Sequence, residues 1–180
     1  MSTIVVEAVD PLTQLLQEHA AFRLACADLS QLLDRLEKDG YTASLSSADY
    51  VLLLRTREII REHLNVHLVK EEEIFFPRLE RLVPQGRVKF LFLNYDHEFL
   101  RVYFEEFVQL VEAFDLDRMP MHMIVSRLIR LGRQIVDNLI KHIMAEDSIY
   151  FELAENGFSA SELEEMGLEM KALEARLREH

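Results

Sequence analysis

Leu12, Leu15, Leu16, His19, Phe22, Cys26, Leu29, Leu33 and Leu36 recur at intervals of three or four, with polar residues between them. That period puts them on one face of a helix. Asp10 and Pro11 supply a cap and a first-turn proline, and Lys38-Asp39-Gly40 ends the run. Residues 40–46 are polar and read as a loop. A second amphipathic run covers about residues 48–82, capped by Ser46 or Ser47 with Asp49 in its first turn. Pro77 lies inside this run, removes one backbone hydrogen bond and predicts a kink or early end near residues 73–76. Pro84-Gln85-Gly86 is the next turn, and a third helix spans about residues 87–114. Asp115-Leu116-Asp117 breaks the pattern, Pro120 opens a fourth helix reaching about residue 155, and Asn156-Gly157 stops it. Ser159 and Glu162 have the spacing of a capping box and begin a short, charged, amphipathic fifth helix.

Four long helices joined by short loops predict an all-α fold, an antiparallel up-down-up-down four-helix bundle with a short C-terminal fifth helix. Residues 1–157 would form the bundle and 158–180 an extension of the same domain. The fifth helix either packs on the bundle end or joins a partner, a second copy of the chain included. The composition agrees with helices, since only 5 glycines and 4 prolines punctuate 180 residues. Phe75, Phe76, Phe90, Phe92, Phe99, Phe104 and Phe107 are expected mainly in the core, with Tyr95, Tyr103 and Tyr150 packed there too.

Charge and cysteine usage narrow the setting. A net charge of −12 repels nucleic acid and anionic lipid, so neither is an expected partner. No apolar run approaches the length of a membrane span, and the N-terminus lacks the basic-then-apolar pattern of an export signal. Cys26 is the only cysteine and reads as a small core residue. The expected location is the reducing cytoplasm.

Against this background one construction occurs twice. His67 precedes Glu71 by four residues, and His142 precedes Glu146 by four. On a helix such positions lie one turn apart on one face. Nitrogen and oxygen donors aimed together suit iron, manganese or zinc. His19 and His97 fall in the two helices that lack the pair. At roughly 1.5 Å rise per residue, His19 lies about 12 Å from one bundle end and His97 about 15 Å. From the same end, His67 and Glu71 lie roughly 16–22 Å away, and His142 and Glu146 roughly 14–20 Å. All six therefore share one slab. Four imidazoles and two carboxylates exceed what one zinc ion takes and suit two metals. Each metal would hold two imidazoles, with Glu71 and Glu146 bridging; a bridging oxide or hydroxide completes five ligands and leaves one position open.

These residues resemble the hemerythrin family, specifically its bacterial HHE-type domains, over about residues 11–155. The resemblance rests on the order His19, His67-x-x-x-Glu71, His97, His142-x-x-x-Glu146, and on Lys70 to Pro77 after the first pair. It implies a four-helix bundle holding a non-haem centre of two iron ions that binds oxygen or a related diatomic such as nitric oxide. The family's oxygen carriers use five histidines, with a His-x-x-x-His pair on the third helix. Here Arg101 stands four after His97 and Leu93 four before it. The carriers end with His-x-x-x-x-Asp, so Asp147 competes with Glu146 for the bridge; the helical face favours Glu146. His63, Asp147 and Glu72 are the candidates for further ligands or for groups that hydrogen-bond the ligands. Transport, storage or sensing fits a centre with no assigned catalytic residue, and a ligand-binding protein is expected ahead of an enzyme. The alternatives are a di-iron enzyme reducing nitric oxide or peroxide, and a regulatory or iron-handling module acting through the fifth helix.

Overall fold

The computed structural model describes residues 10–40, 43–83, 87–115 and 120–178, with the side chains of the third helix described from 95 to 114. The turn at Pro84-Gln85-Gly86, the break at Leu116-Asp117 and the side chains of Phe90 and Phe92 lie outside these. The fold is all-α. The first rod is α1 (Pro11–Asp39), with the Asp10 carboxylate accepting from the Thr13 amide at 2.9 Å. The second rod runs without interruption from residue 47 to 82 as α2 (Ser47–Ile59), a π turn (Ile60–Leu64), α3 (Asn65–Lys70), a π turn (Glu71–Phe75) and α4 (Phe76–Leu82). Ser46 and Asp49 close its capping box. The third rod is α5 (Arg87–Asp115). The fourth comprises α6 (Met121–Ala145), a π turn (Glu146–Tyr150) and α7 (Phe151–Gly157). The fifth, α8 (Ala160–Arg178), follows the Ser159–Glu162 capping box.

Pro77 does not end the second rod. It sits in the first turn of α4, after a π turn whose closing bond runs from the Phe76 amide to the Glu71 carbonyl. A missing N–H is tolerated there. The wider turn lets the helical run continue past the proline.

Four rods close a ring: α1 packs on α2 and α6, and α5 packs on α2 and α6. Residue numbers run in opposite senses along three of these four pairs. Glu18 meets His67 while Arg35 meets Asp49. Glu72 meets Arg101 while Arg61 meets Glu112. Asp147 meets His19 while Gly132 faces Leu33. Neighbouring rods are therefore antiparallel where these side chains meet.

The interior has two apolar clusters. One contains Phe22, Leu33, Leu64, Leu68, Leu100, Phe104, Phe107, Leu128 and Ile143. The other contains Leu15, Ile74, Phe75, Phe76, Leu79, Phe151, Met166 and Met170. His19 falls between Leu15 of the second cluster and Phe22 of the first, Glu71 between Leu68 and Ile74, and Glu146 between Ile143 and Tyr150, so on these three rods the polar residues mark the border of the two clusters. α8 lies against α1, α3 and the π turn at 71–75, burying Met166, Met170 and Leu173 in the second cluster. Phe99 and Tyr95, expected in the core, are instead 61% and 63% exposed. With Val102 they form an outward stripe on α5, opposite the face that carries His97, Leu100 and Phe104.

Candidate metal centre

His19 on α1, His67 on α3, Glu71 at the start of the first acidic π turn, His97 on α5, His142 on α6 and Glu146 at the start of the last π turn are all buried. Their donor atoms form two overlapping groups: His19, His67, Glu71 and Glu146, and Glu71, His97, His142 and Glu146. The atoms of each group lie within 4.8 Å of one another. Glu71 spans both, with Oε1 3.1 Å from His67 Nε2 and Oε2 3.5 Å from His97 Nε2. Glu146 does the same, with Oε2 3.3 Å from His19 Nε2 and Oε1 3.1 Å from His142 Nε2.

Around the cluster the same contacts repeat in each half. The acid after each glutamate holds a histidine of the next rod. Glu72 Oε1 lies 2.7 Å from His97 Nδ1, and Asp147 Oδ1 2.7 Å from His19 Nδ1. An arginine four residues after that histidine grips the same acid: Arg101 on Glu72, Arg23 on Asp147. The acid before each single histidine faces the remaining imidazole. Glu18 Oε2 lies 2.7 Å from His67 Nδ1, whereas Asp96 Oδ2 stands 3.9 Å from His142 Nδ1, beyond hydrogen-bond reach.

Three Nδ1 atoms thus donate outward to carboxylates, which turns the corresponding Nε2 lone pairs inward. The facing Nε2 atoms are 3.0 Å apart in the His19–His67 pair and 2.9 Å in the His97–His142 pair. Two donors each roughly 2.1 Å from one ion and at right angles to it would be about 3.0 Å apart. All four oxygens of Glu71 and Glu146 are buried without a hydrogen bond. Beside neutral imidazoles, carboxylates buried in this way would cost several kcal/mol each. Cations at the centre of the cluster would remove that penalty, so the donor set fits a metal centre.

The electrostatics point the same way. Burial opposes charge on His19, yet Glu146 and Glu71 beside it raise its pKa to about 10. His142 is likewise pushed down by burial and carried up to about 10, chiefly by Glu146. Burial opposes ionisation of Glu71, but His67, His19 and His97 hold its carboxyl well below the ordinary value. The centre is built to keep positive charge between its carboxylates.

The structure brings together His19, His67, Glu71, His97, His142 and Glu146, and sets Glu72 and Asp147 outside them as hydrogen-bond partners of His97 and His19. Between Glu146 and Asp147, it is Glu146 whose oxygens face the imidazole Nε2 atoms of both groups. His63 is exposed and belongs to neither group of donors. It lies in the π turn at residues 60–64, whose extra residue breaks the one-turn relation to His67 on which its candidacy rested. Sequence reasoning missed Glu18, Arg23, Lys70, Asp96 and the pairing of Arg101. The signal was there in part: each single histidine is preceded by an acid and followed four residues on by an arginine.

Among the described residues no helix is long and apolar enough to cross a membrane. An uncharacterised protein of Haemophilus influenzae is 30% identical to this chain over 165 residues, covering 91% of this chain and 89% of its own. The family model described as the hemerythrin HHE cation binding domain matches residues 10–154, the span that carries all six clustered side chains. The chain belongs to the hemerythrin HHE cation-binding domain family.

Proposed function

We propose that this chain holds two iron ions in one buried centre and binds oxygen or a related diatomic such as nitric oxide there, for transport, storage or sensing. The observation that carries the reading is the pair Glu71 and Glu146, each shared between two imidazole pairs and each with both oxygens lacking a hydrogen bond. His19 and His67 would hold one ion, His97 and His142 the other, and the two glutamates would bridge them. When bound, an iron pair bridged by oxide or hydroxide supplies redox-active positions for a small ligand.

The protein's own residues supply the rest. Asp147, Glu18 and Glu72 fix three imidazoles so that no reorientation is needed on metal entry. Phe22 packs on His67, Phe151 on His19 and Phe76 on His97, with ring centroids 5.1, 5.3 and 5.6 Å apart. This apolar wall limits water and favours small, uncharged ligands. The acidic surface argues against nucleic acid or membrane as partner, and a lone buried cysteine suits the cytoplasm.

A second reading, an enzyme reducing nitric oxide or peroxide, is favoured by Arg101. Its guanidinium is engaged with Glu72 where the family's oxygen carriers place a further imidazole, which leaves two imidazoles per ion. One experiment separates the two. Reduced, iron-loaded protein is exposed to oxygen, its visible spectrum recorded, and the sample evacuated. The binding reading expects an absorption band that appears with oxygen and disappears on evacuation, with the gas recovered. Consumption of oxygen without recovery contradicts it and supports turnover.

A further inference from the structure

The repeat of contacts around the centre is broken at one position. In the first half, Lys70 stands three residues after His67; in the second, Ala145 stands three after His142. Lys70 is 1% exposed, and its Nζ donates to Glu18 Oε1 and, at 2.8 Å, to Glu174 Oε1 of α8. Gln14 Nε2 ties the same two acids together, 2.6 Å from Glu174 and 3.3 Å from Glu18. Glu18 is thereby held on His67 Nδ1 at 2.7 Å. At the matching place Ala145 offers no donor. Asp96 is 57% exposed, stands 3.9 Å from His142 Nδ1, and that nitrogen is buried without a partner. A groove of about 330 Å³ between α5 and α6, whose lining includes Asp96, Tyr103, Asn138, Lys141, His142 and Ala145, occupies the space a longer side chain at 145 would enter; Lys141 lines it without an ion pair to Asp96.

We propose that α8 is a positioning element for one half of the centre. It acts through the chain Glu174–Lys70–Glu18–His67 and makes the His19–His67 half bind its metal more tightly than the His97–His142 half. The inference rests on the metal reading proposed above. A carboxylate fixed on Nδ1 sets the orientation of the ring and raises the donor strength of its Nε2. Lys70 fixes that carboxylate, and Glu174 fixes Lys70. Among the described residues nothing equivalent fixes Asp96, so His142 would enter coordination with a freer ring. Because coupling is reciprocal, metal in the first half also favours docking of α8.

The test is stepwise titration of the full chain with cobalt(II) against a competing chelator, with the visible spectrum recorded at each step. Wild type should take up two ions in two resolved steps. Removing a group that hydrogen-bonds a metal ligand typically weakens the site 10–100-fold. Glu174 acts further out, so Glu174→Gln should weaken the tighter step by roughly fivefold and leave the weaker one unchanged. Glu169→Gln is the control: it removes the 2.7 Å ion pair of α8 with Arg78, outside the chain to His67, and should move neither step. Ala145→Lys should strengthen the weaker step by supplying the missing donor to Asp96. Equal effects of Glu174→Gln and Glu169→Gln would reduce α8 to packing and overturn the proposal. So would a Glu174→Gln effect spread over both steps, or an Ala145→Lys chain of unchanged helicity whose weaker step does not move. If Ala145→Lys misfolds, the two glutamine variants decide. A wild type that binds no cobalt overturns the metal reading first, and the positioning role with it.

Discussion

Glu71 and Glu146 concentrate the physics of the centre in two side chains. Each is fully buried, each faces imidazoles from different rods, and neither has a hydrogen bond to satisfy it. Glu71→Ala or Glu146→Ala removes a carboxylate shared by both groups of donors, and the proposed bridging role predicts one ion or none per chain by metal analysis. Two ions in both variants would contradict the bridging role. Cys26 tests the core beside the centre: burial pushes its thiol up to about 11. It should resist alkylation by iodoacetamide at neutral pH in the native chain and react after denaturation; rapid native labelling would show that this face of α1 opens. The two i, i+4 pairs were legible because they report one helical face, and the lone histidines because helix ends fix their depth. The partner role of Lys70 was not. A lysine inside a helical pattern reads as solvated, and only a rod from the far end of the chain supplies Glu174 to bury it.

At the scale of elements, the two acidic π turns do the positioning. Each begins at a glutamate of the centre, Glu71 or Glu146, and each presents the following acid to the next rod. Periodicity could not foresee this, because a π turn adds one residue without changing the apolar pattern on either side. The same blindness accounts for the exposed His63 and the uninterrupted passage through Pro77. Helix crossings depend on small residues as well. A Cβ at Gly132 would lie 2.8 and 3.0 Å from the two methyls of Leu33, which is fully buried. Both branches of the leucine are involved, so a single rotation cannot relieve the clash. Gly132→Ala gains about 1 kcal/mol of helix propensity and loses about 1–3 kcal/mol to overpacking. Thermal unfolding should show a lower Tm; a higher one would mean that α1 and α6 separate freely.

For the whole molecule, four rods and a fifth enclose a charged layer between two apolar clusters, and protons and metal compete for it. Without metal, His19 and His142 carry pKa values raised from 6.5 to about 10. Between those values the folded chain holds protons that the unfolded chain releases, so stability is lost as pH rises through that window. Calorimetry in the presence of a chelator should therefore show Tm falling from pH 7 to 9, and a rise would contradict the charge assignment. Metal affinity has the opposite slope, because ions must displace those same protons. The helix count, the capping box at Ser159 and the common depth of the histidines were readable from residue spacing, whereas the choice of Ser46 over Ser47 as a cap came from the structure. Where α8 docks was not readable, since its amphipathic face suits a partner as well as the bundle, and only the contacts of Met166, Met170 and Glu174 with the other rods decide it.

The most direct measurement is the number of iron ions per chain after anaerobic loading with iron(II) and removal of unbound metal. Two buried halves sharing two carboxylates predict two ions per chain. A chain that retains none, or retains its full complement after Glu71 and Glu146 are both replaced by alanine, would contradict the account at its root.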